Sequence, residues 1–333
     1  MALTKVSTGV VDMSGNTGGL VIAKGNGTDV SSGGERPTCN ATILGSIREN
    51  TTENKVEVCT STGWQFLEEV GPTMHTLTVE YLVVGGGGGG GNYDGGGGGA
   101  GGYLTNFQGT ALVLQSSTPY NVSVGDGGTG GTKNSLAATV GGNSQFSNII
   151  SYGGGAGRND NNSPNAQDDG GSGGGGDGGS GGAGGSATPA GQGNNGGSNS
   201  GNFGGGGGGA GQPGNTNGQG TGGDGLQNAI TGSNIYYAGG GGGDYRSGGA
   251  AGGLGGGGLG NGTNGGNYLG GGGGSEYSSG GQGGYGGYGV VILRYPDSYT
   301  VNKSVGLTSS VSISVAGYKI ETFFSGTGTI TFA

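Results

Sequence analysis

Seven uninterrupted glycine runs decide what this chain can fold into: Gly85–Gly91, Gly95–Gly99, Gly173–Gly176, Gly204–Gly209, Gly239–Gly243, Gly255–Gly258 and Gly270–Gly274. A segment without side chains cannot fill an apolar core, and glycine loses more freedom on ordering than any other residue. Glycine accounts for 101 of 333 residues, and 86 of them fall between 85 and 289. Three physical states are open to such runs: a solvated linker, phosphate-cradling loops, or close-packed polyglycine helices.

The linker is the default for Gly/Ser-rich sequence. Recurrent aromatic and apolar residues between the runs argue against it, at Tyr93, Tyr103, Phe203, Tyr245, Leu254, Leu259, Tyr268, Tyr277, Tyr285 and Tyr288. A tether has no use for them, so an ordered body is expected. Phosphate loops need a preceding strand, a following helix and a spaced acidic residue; no helical period follows any run. The packed option uses a helix of 3 residues per turn, a rise of about 3.1 Å and no internal hydrogen bonds. Its N–H and C=O groups all point outward, so neighbouring backbones satisfy one another without side chains. Collagen is excluded because there is no Gly-x-y period.

Around this body the chain changes character. Residues 1–35 read as an extended attachment arm with one or two short strands, and 36–75 as a β meander. Residues 76–296 form the glycine-rich body, and 297–333 a C-terminal β tail. In the meander, apolar residues alternate at Val56 and Val58 and again at Trp64 and Phe66, with polar turns between. A meander of this size is marginal alone, so oligomerisation is expected to cover its rings. In the body, strands are expected at 76–84, 118–125, 144–150, 234–237 and 285–296, and two or three more in the tail. The fold class is therefore mostly β plus polyglycine-II helices, with essentially no α-helix.

Net charge is −9, and residues 85–289 set Lys133, Arg158 and Arg246 against eight Asp and one Glu. No basic stripe exists for nucleic acid, and no apolar run is long enough to span a membrane. His75 lacks a catalytic partner and reads as a surface residue before a strand. No cofactor, metal centre or paired-carboxylate groove is indicated, so the chain is expected not to be an enzyme. Cys39 and Cys59 could form one bond, although two small buried thiols are the preferred reading. Asp160, Asp168, Asp169 and Asp177 read as a solvated loop rather than a calcium site, because no EF-hand or Gly-Gly-x-Gly-x-Asp repeat is present.

Recognition is expected from loops that carry rigid amphipathic rings. The stretch 158–169 is the longest interruption without glycine or a strand pattern, which makes Arg158, Asn159, Asp160, Asn161 and Asn162 the first candidates. Tyr93, Tyr245, Arg246 and Tyr277 follow, with the simple connecting turn as the competing reading for each.

Two resemblances sharpen these expectations. Gly45, Ile47, Arg48, Asn50, Thr51, Lys55, Val56, Glu57, Gly63 and Trp64 resemble a short module repeated in phage tail fibres. The body resembles the glycine-rich domain of phage tail fibres and tip adhesins. That likeness runs from Glu80-Tyr81-Leu82-Val83-Val84-Gly85 through Thr118–Gly128 to Gly289–Pro296. It implies packed polyglycine helices with receptor-contacting loops at one end, a virion location, and partners among other virion proteins. It also implies a host surface glycan or outer-membrane protein as receptor, and a homotrimer. The N-terminus lacks a signal-peptide core, which favours assembly inside a cell and release by lysis. A purely structural virion component and a bacterial glycine-rich surface protein are the competing classes. In the resembled family a segment like Tyr318–Phe332 precedes the Glu-Tyr-Leu-Val-Val strand; here it lies at the C-terminus, and it is expected to pair with 76–84 of its own subunit or of a neighbour.

Overall fold

A computed structural model describes residues 23–25, 47–50, 55–60 and 63–66. From 75 onward it describes all residues except 134–135, 160–166, 180–181, 200, 202, 215–218, 246–247 and 279. The chain divides into two compact units, 1–73 and 74–333. It is all β among the described residues, with no helix.

The first unit is the expected meander with one addition. Strands β2 (Ile47–Asn50), β3 (Lys55–Thr60) and β4 (Gly63–Phe66) pair antiparallel in sequence order, and β1 (Ala23–Gly25) joins β2 in parallel. Cys59 stands opposite Trp64 in the β3–β4 register. It is buried and disulfide-bonded rather than a thiol; Cys39 lies outside the described residues.

The second unit has a β base and a glycine bundle. In the base, a six-stranded sheet runs β15 (Thr308–Ser312), β16 (Tyr318–Ser325), β13 (Val290–Pro296), β5 (Thr76–Val84), β6 (Tyr103–Thr105), with β7 (Leu112–Gln115) on the first half of β5. A five-stranded sheet runs β10 (Ile149–Ser151), β9 (Ser144–Phe146), β8 (Tyr120–Ser123), β17 (Thr327–Phe332), β14 (Val301–Lys303). A small hairpin joins β11 (Leu226–Asn228) to β12 (Ile235–Tyr237).

Side-chain alternation gives the first sheet two buried faces. Val79, Val83, Val291, Leu293, Tyr295 and Phe323 meet Val122, Phe146, Ile330 and Phe332 of the second sheet. Leu82, Val84, Val290, Ile292 and Ile320 face the other way, against Ile230, Tyr237 and the glycine body. Strands buried on both faces read as unbroken apolar runs, and Tyr81-Leu82-Val83-Val84 and Val290-Val291-Ile292-Leu293 do so.

The tail corrects one expectation. β16 enters the sheet beside β13, not beside 76–84, with Phe323 opposite Val291 and Ile320 opposite Arg294. The partner of 76–84 is β13 itself, with Val83 opposite Val291. β5 enters the body and β13 leaves it, so their pairing closes the body; the tail takes the free side of β13.

Burial of base tyrosines links stability to alkaline pH. Tyr237 is pushed up to about 12, first by burial and then by the charge of Tyr103; Tyr295 is also raised, by burial and then by Glu321. A folded-state value above the unfolded one, near 10, means that the native state holds its proton longer. That stability is complete below pH 10 and is lost as pH rises through 12. Thermal melts from pH 9 to 11 should fall for the unmodified chain and fall less steeply for Tyr237→Phe. An equal slope in the variant would contradict this assignment.

Candidate functional site

The glycine bundle positions the site. From 85 to 91 the N–H groups point to three neighbours in strict rotation. Gly85, Gly88 and Gly91 donate to Gly102, Gly99 and Gly96 at 3.0, 2.9 and 2.8 Å. Gly86 and Gly89 donate to Gly142 and Thr139, and Gly87 and Gly90 to Gly287 and Gly284. The carbonyls turn to three other segments. Gly86 and Gly89 accept from Gly154 and Gly157, Gly87 and Gly90 from Gly128 and Gly131, and Gly88 and Gly91 from Gly273 and Glu276. A bond to the same neighbour every third residue is the signature of a three-residue screw. Register falls with residue number in the first group, so those neighbours run antiparallel; it rises in the second, so those run parallel.

Gly96–Gly102 repeats the pattern. Its N–H groups reach 158, 155 and 152, then 205 and 208, then 273 and 270. Side chains have no room inside this lattice: a Cβ on Gly88 would land on the carbonyl of Gly155, and one on Gly98 on that of Gly88. Ala100 and Ala156, both fully buried, mark places where a methyl fits.

The lattice registers gather connecting turns at the end remote from the sheets. Asn92, fully buried, ties several together. Its N–H donates to Asn159 Oδ1 at 3.0 Å, and its Nδ2 donates to the carbonyl of Gly281 at 2.9 Å. Tyr93 N–H donates to the carbonyl of Glu276 at 2.6 Å. Gly178 N–H donates to Asp94 O, and Asp244 N–H to Gly95 O. Asn159 Nδ2 donates to the carbonyl of Leu136 at 3.1 Å.

Several sequence-predicted residues thus meet on one face. Tyr245 and Tyr277 are exposed, and Tyr93 is half-buried. Arg158 and Asn159 serve as braces: Arg158 Nε donates to Asp168 Oδ2 at 2.6 Å, tying the two ends of the 158–169 loop. This overturns the solvated reading for Asp168, which is buried, as is Asp177; Asp169 remains exposed and accepts from Ser186 N–H. Asp160, Asn161, Asn162 and Arg246 lie outside the described residues. His75 is exposed just before β5. No group of three or more His, Cys, Asp or Glu side chains is placed to hold a metal among the described residues.

Two contacts on the face were not foreseen. The ammonium of Lys133 sits 3.1 Å from the Tyr93 ring centre, a cation–π contact. Phe203 packs on Tyr245 with ring centres 5.0 Å apart. Neither carries a local sequence signal, because which turns become neighbours depends on the order of helices in the lattice.

Of seven non-glycine residues with positive φ among the described residues, two fall on this face; Gln108, Ser117, Ser147, Ala238 and Tyr268 lie elsewhere. Tyr93 and Asp94 take φ of 51° and 55°, the left-handed region. A non-glycine residue there costs about 1–2 kcal/mol. In a chain so rich in glycine, a tyrosine at such a position needs another reason than turning the backbone, and strain of this kind clusters at functional sites.

A family model described as a glycine-rich domain matches residues 60–296. No curated protein matches the chain.

Proposed function

We propose that this chain, which belongs to the glycine-rich domain family, is a structural virion protein of a tailed phage, a fibre or adhesin component that attaches to the host cell surface. The observation that carries this reading is the convergence of Tyr93, Tyr245 and Tyr277 on the end of the bundle remote from the sheets. A rigid lattice holds these rings in place before contact, which lowers the entropic cost of binding. The host partner is a surface glycan or an outer-membrane protein. Residues 1–75, with the tail-fibre-like meander, attach the chain to other virion proteins as a homotrimer, a copy number that light scattering reads directly. The chain performs no catalysis in this role.

The test uses the purified, fluorescently labelled chain on a panel of bacterial strains. The unmodified chain should label at least one strain. Tyr245→Ala with Tyr277→Ala should weaken labelling roughly tenfold or more, as loss of central aromatic anchors does, without moving the melting temperature. Tyr93→Gly should bind more weakly yet melt no lower, because it relieves the left-handed strain. Labelling of no strain, or equal labelling by these variants, would overturn the proposal.

A further inference from the structure

The three-residue screw also dictates which side chains can stand on the wall of the bundle. Along 283–288 a Cβ at Gly283 or Gly286 would strike the carbonyls of Gly90 and Gly87. One at Gly284 or Gly287 would strike those of Thr263 and Gly266. Two of the three phases are therefore closed by neighbours. The third is occupied by Gln282, Tyr285 and Tyr288, and the two tyrosines are 45% and 41% exposed. Three steps of about 3.1 Å set successive rungs about 9 Å apart. Gln282 Nε2 donates to the Tyr285 hydroxyl at 3.3 Å, linking the first two rungs.

The ladder continues onto the base. Tyr268 lies 6.2 Å from Tyr288, centre to centre, at an interplanar angle of 22°, and 5.0 Å from Phe324 edge-on. Tyr268 is 42% exposed and holds φ of 63°. A second strained tyrosine, outside the remote face, is thus kept where glycine would turn the chain at no cost. The ring packs on Tyr288 and Phe324 and still leaves a face to solvent.

We propose that Gln282, Tyr285, Tyr288, Tyr268 and Phe324 form a side-wall site for a neutral, β-linked polysaccharide. Pyranose rings with equatorial linkages present C–H faces that pack on aromatic rings, and their hydroxyls bond to tyrosine hydroxyls and amides. The rung spacing is close to the length of a disaccharide, so a linear chain can meet successive rungs in register. None of the five side chains is charged, and the net charge of −9 repels polyanions. The flanking walls 263–266 and 128–131 carry only Thr263, Asn264 and Thr129 as side chains, and Asn264 Oδ1 accepts from the Tyr285 N–H at 2.9 Å. Gln282 borders the remote face, since the carbonyl of Gly281 accepts from Asn92 Nδ2; Tyr285, Tyr288, Tyr268 and Phe324 lead away from it towards the base.

Isothermal titration of the full chain with cellohexaose and chitohexaose tests the proposal, with cellobiose and hexagalacturonate for comparison. At least one neutral hexasaccharide should bind, with cellobiose and the polyanion roughly tenfold or more weaker. Tyr285→Ala with Tyr288→Ala should weaken the hexasaccharide by a similar factor, while Val305→Ala, at a fully exposed position of the tail, leaves it unchanged. Should Tyr288→Ala disturb the packing of Tyr268, Tyr285→Ala alone carries the comparison. Failure of both hexasaccharides to bind, or equal binding by the variants, overturns the site. So does self-association that the double variant abolishes, which would make the ladder a contact between copies.

Discussion

Gly88→Ala should destabilise the chain by about 3 kcal/mol or more, the upper end of what overpacking costs. The added methyl lands on the carbonyl of Gly155 and within reach of that of Gly154. Relief requires 153–157 to move away as a unit. Its bonds from Gly154 to Gly86 and from Gly157 to Gly89 then stretch, and so do those that Gly88 shares with Gly99 and Gly273. A side-chain core can answer a methyl by turning a rotamer; a lattice of backbones has no rotamers to turn. Gly280→Ala is the control, since nothing lies within 4 Å of its added Cβ, and it should change stability by no more than about 0.5 kcal/mol. Chemical denaturation of the three chains reads the contrast. A Gly88→Ala chain as stable as Gly280→Ala would mean that the glycine segments are not packed on one another.

The magnitudes also explain why the bundle needs its β base. Ordering one residue costs about 1–2 kcal/mol of backbone entropy. Each glycine in the lattice forms, in effect, one backbone bond, worth about 0.5–1.5 kcal/mol net. These nearly cancel, and close dispersion contacts add only modestly. The lattice is therefore self-consistent but weakly driven. Apolar burial around Phe146, Tyr295, Phe323 and Phe332 supplies a term that the glycines lack. The expectation that neighbouring backbones satisfy one another without side chains was made for the glycine segments and holds there; in the base, a two-sided sheet is buried in the usual way.

Local pattern told much of this in advance. Alternation in Thr76–Val84 and Tyr318–Phe324 marked strands, and the turn clusters around Lys55–Cys59 marked the meander. Strands β6, β7, β11 and β14 were not foreseen, because three or four residues such as Leu226-Gln227-Asn228 carry no period. The remote face was legible as a set of aromatic interruptions, but not as a set of neighbours. Lys133 meets Tyr93, and Phe203 meets Tyr245, only because of how the helices are ordered in space. Every glycine run looks alike in sequence, so nothing local specifies that order; the non-glycine residues at the turns and the apolar base must do so.

Removal of 316–333 should abolish cooperative folding of 74–333. Deleting one large buried ring, as in Phe332→Ala, costs about 3–5 kcal/mol. The truncation removes Ile320, Phe323, Ile330 and Phe332, all at most 2% exposed. Domain stability is typically about 5–15 kcal/mol, so losses of this size leave nothing to hold the weakly driven lattice. The register adds a geometric reason. β16 seals β13 along Val291–Pro296, and β17 seals β8 along Tyr120–Ser123. Without them, β8, which leads into the bundle, and β13, which leaves it, each lose a partner and expose an edge. Amide exchange followed by mass spectrometry separates this from a local effect: protection should vanish across 85–102 as well as in the base. A truncated chain that melts as the full one does, with its glycine segments still protected, would show that the bundle stands without the tail.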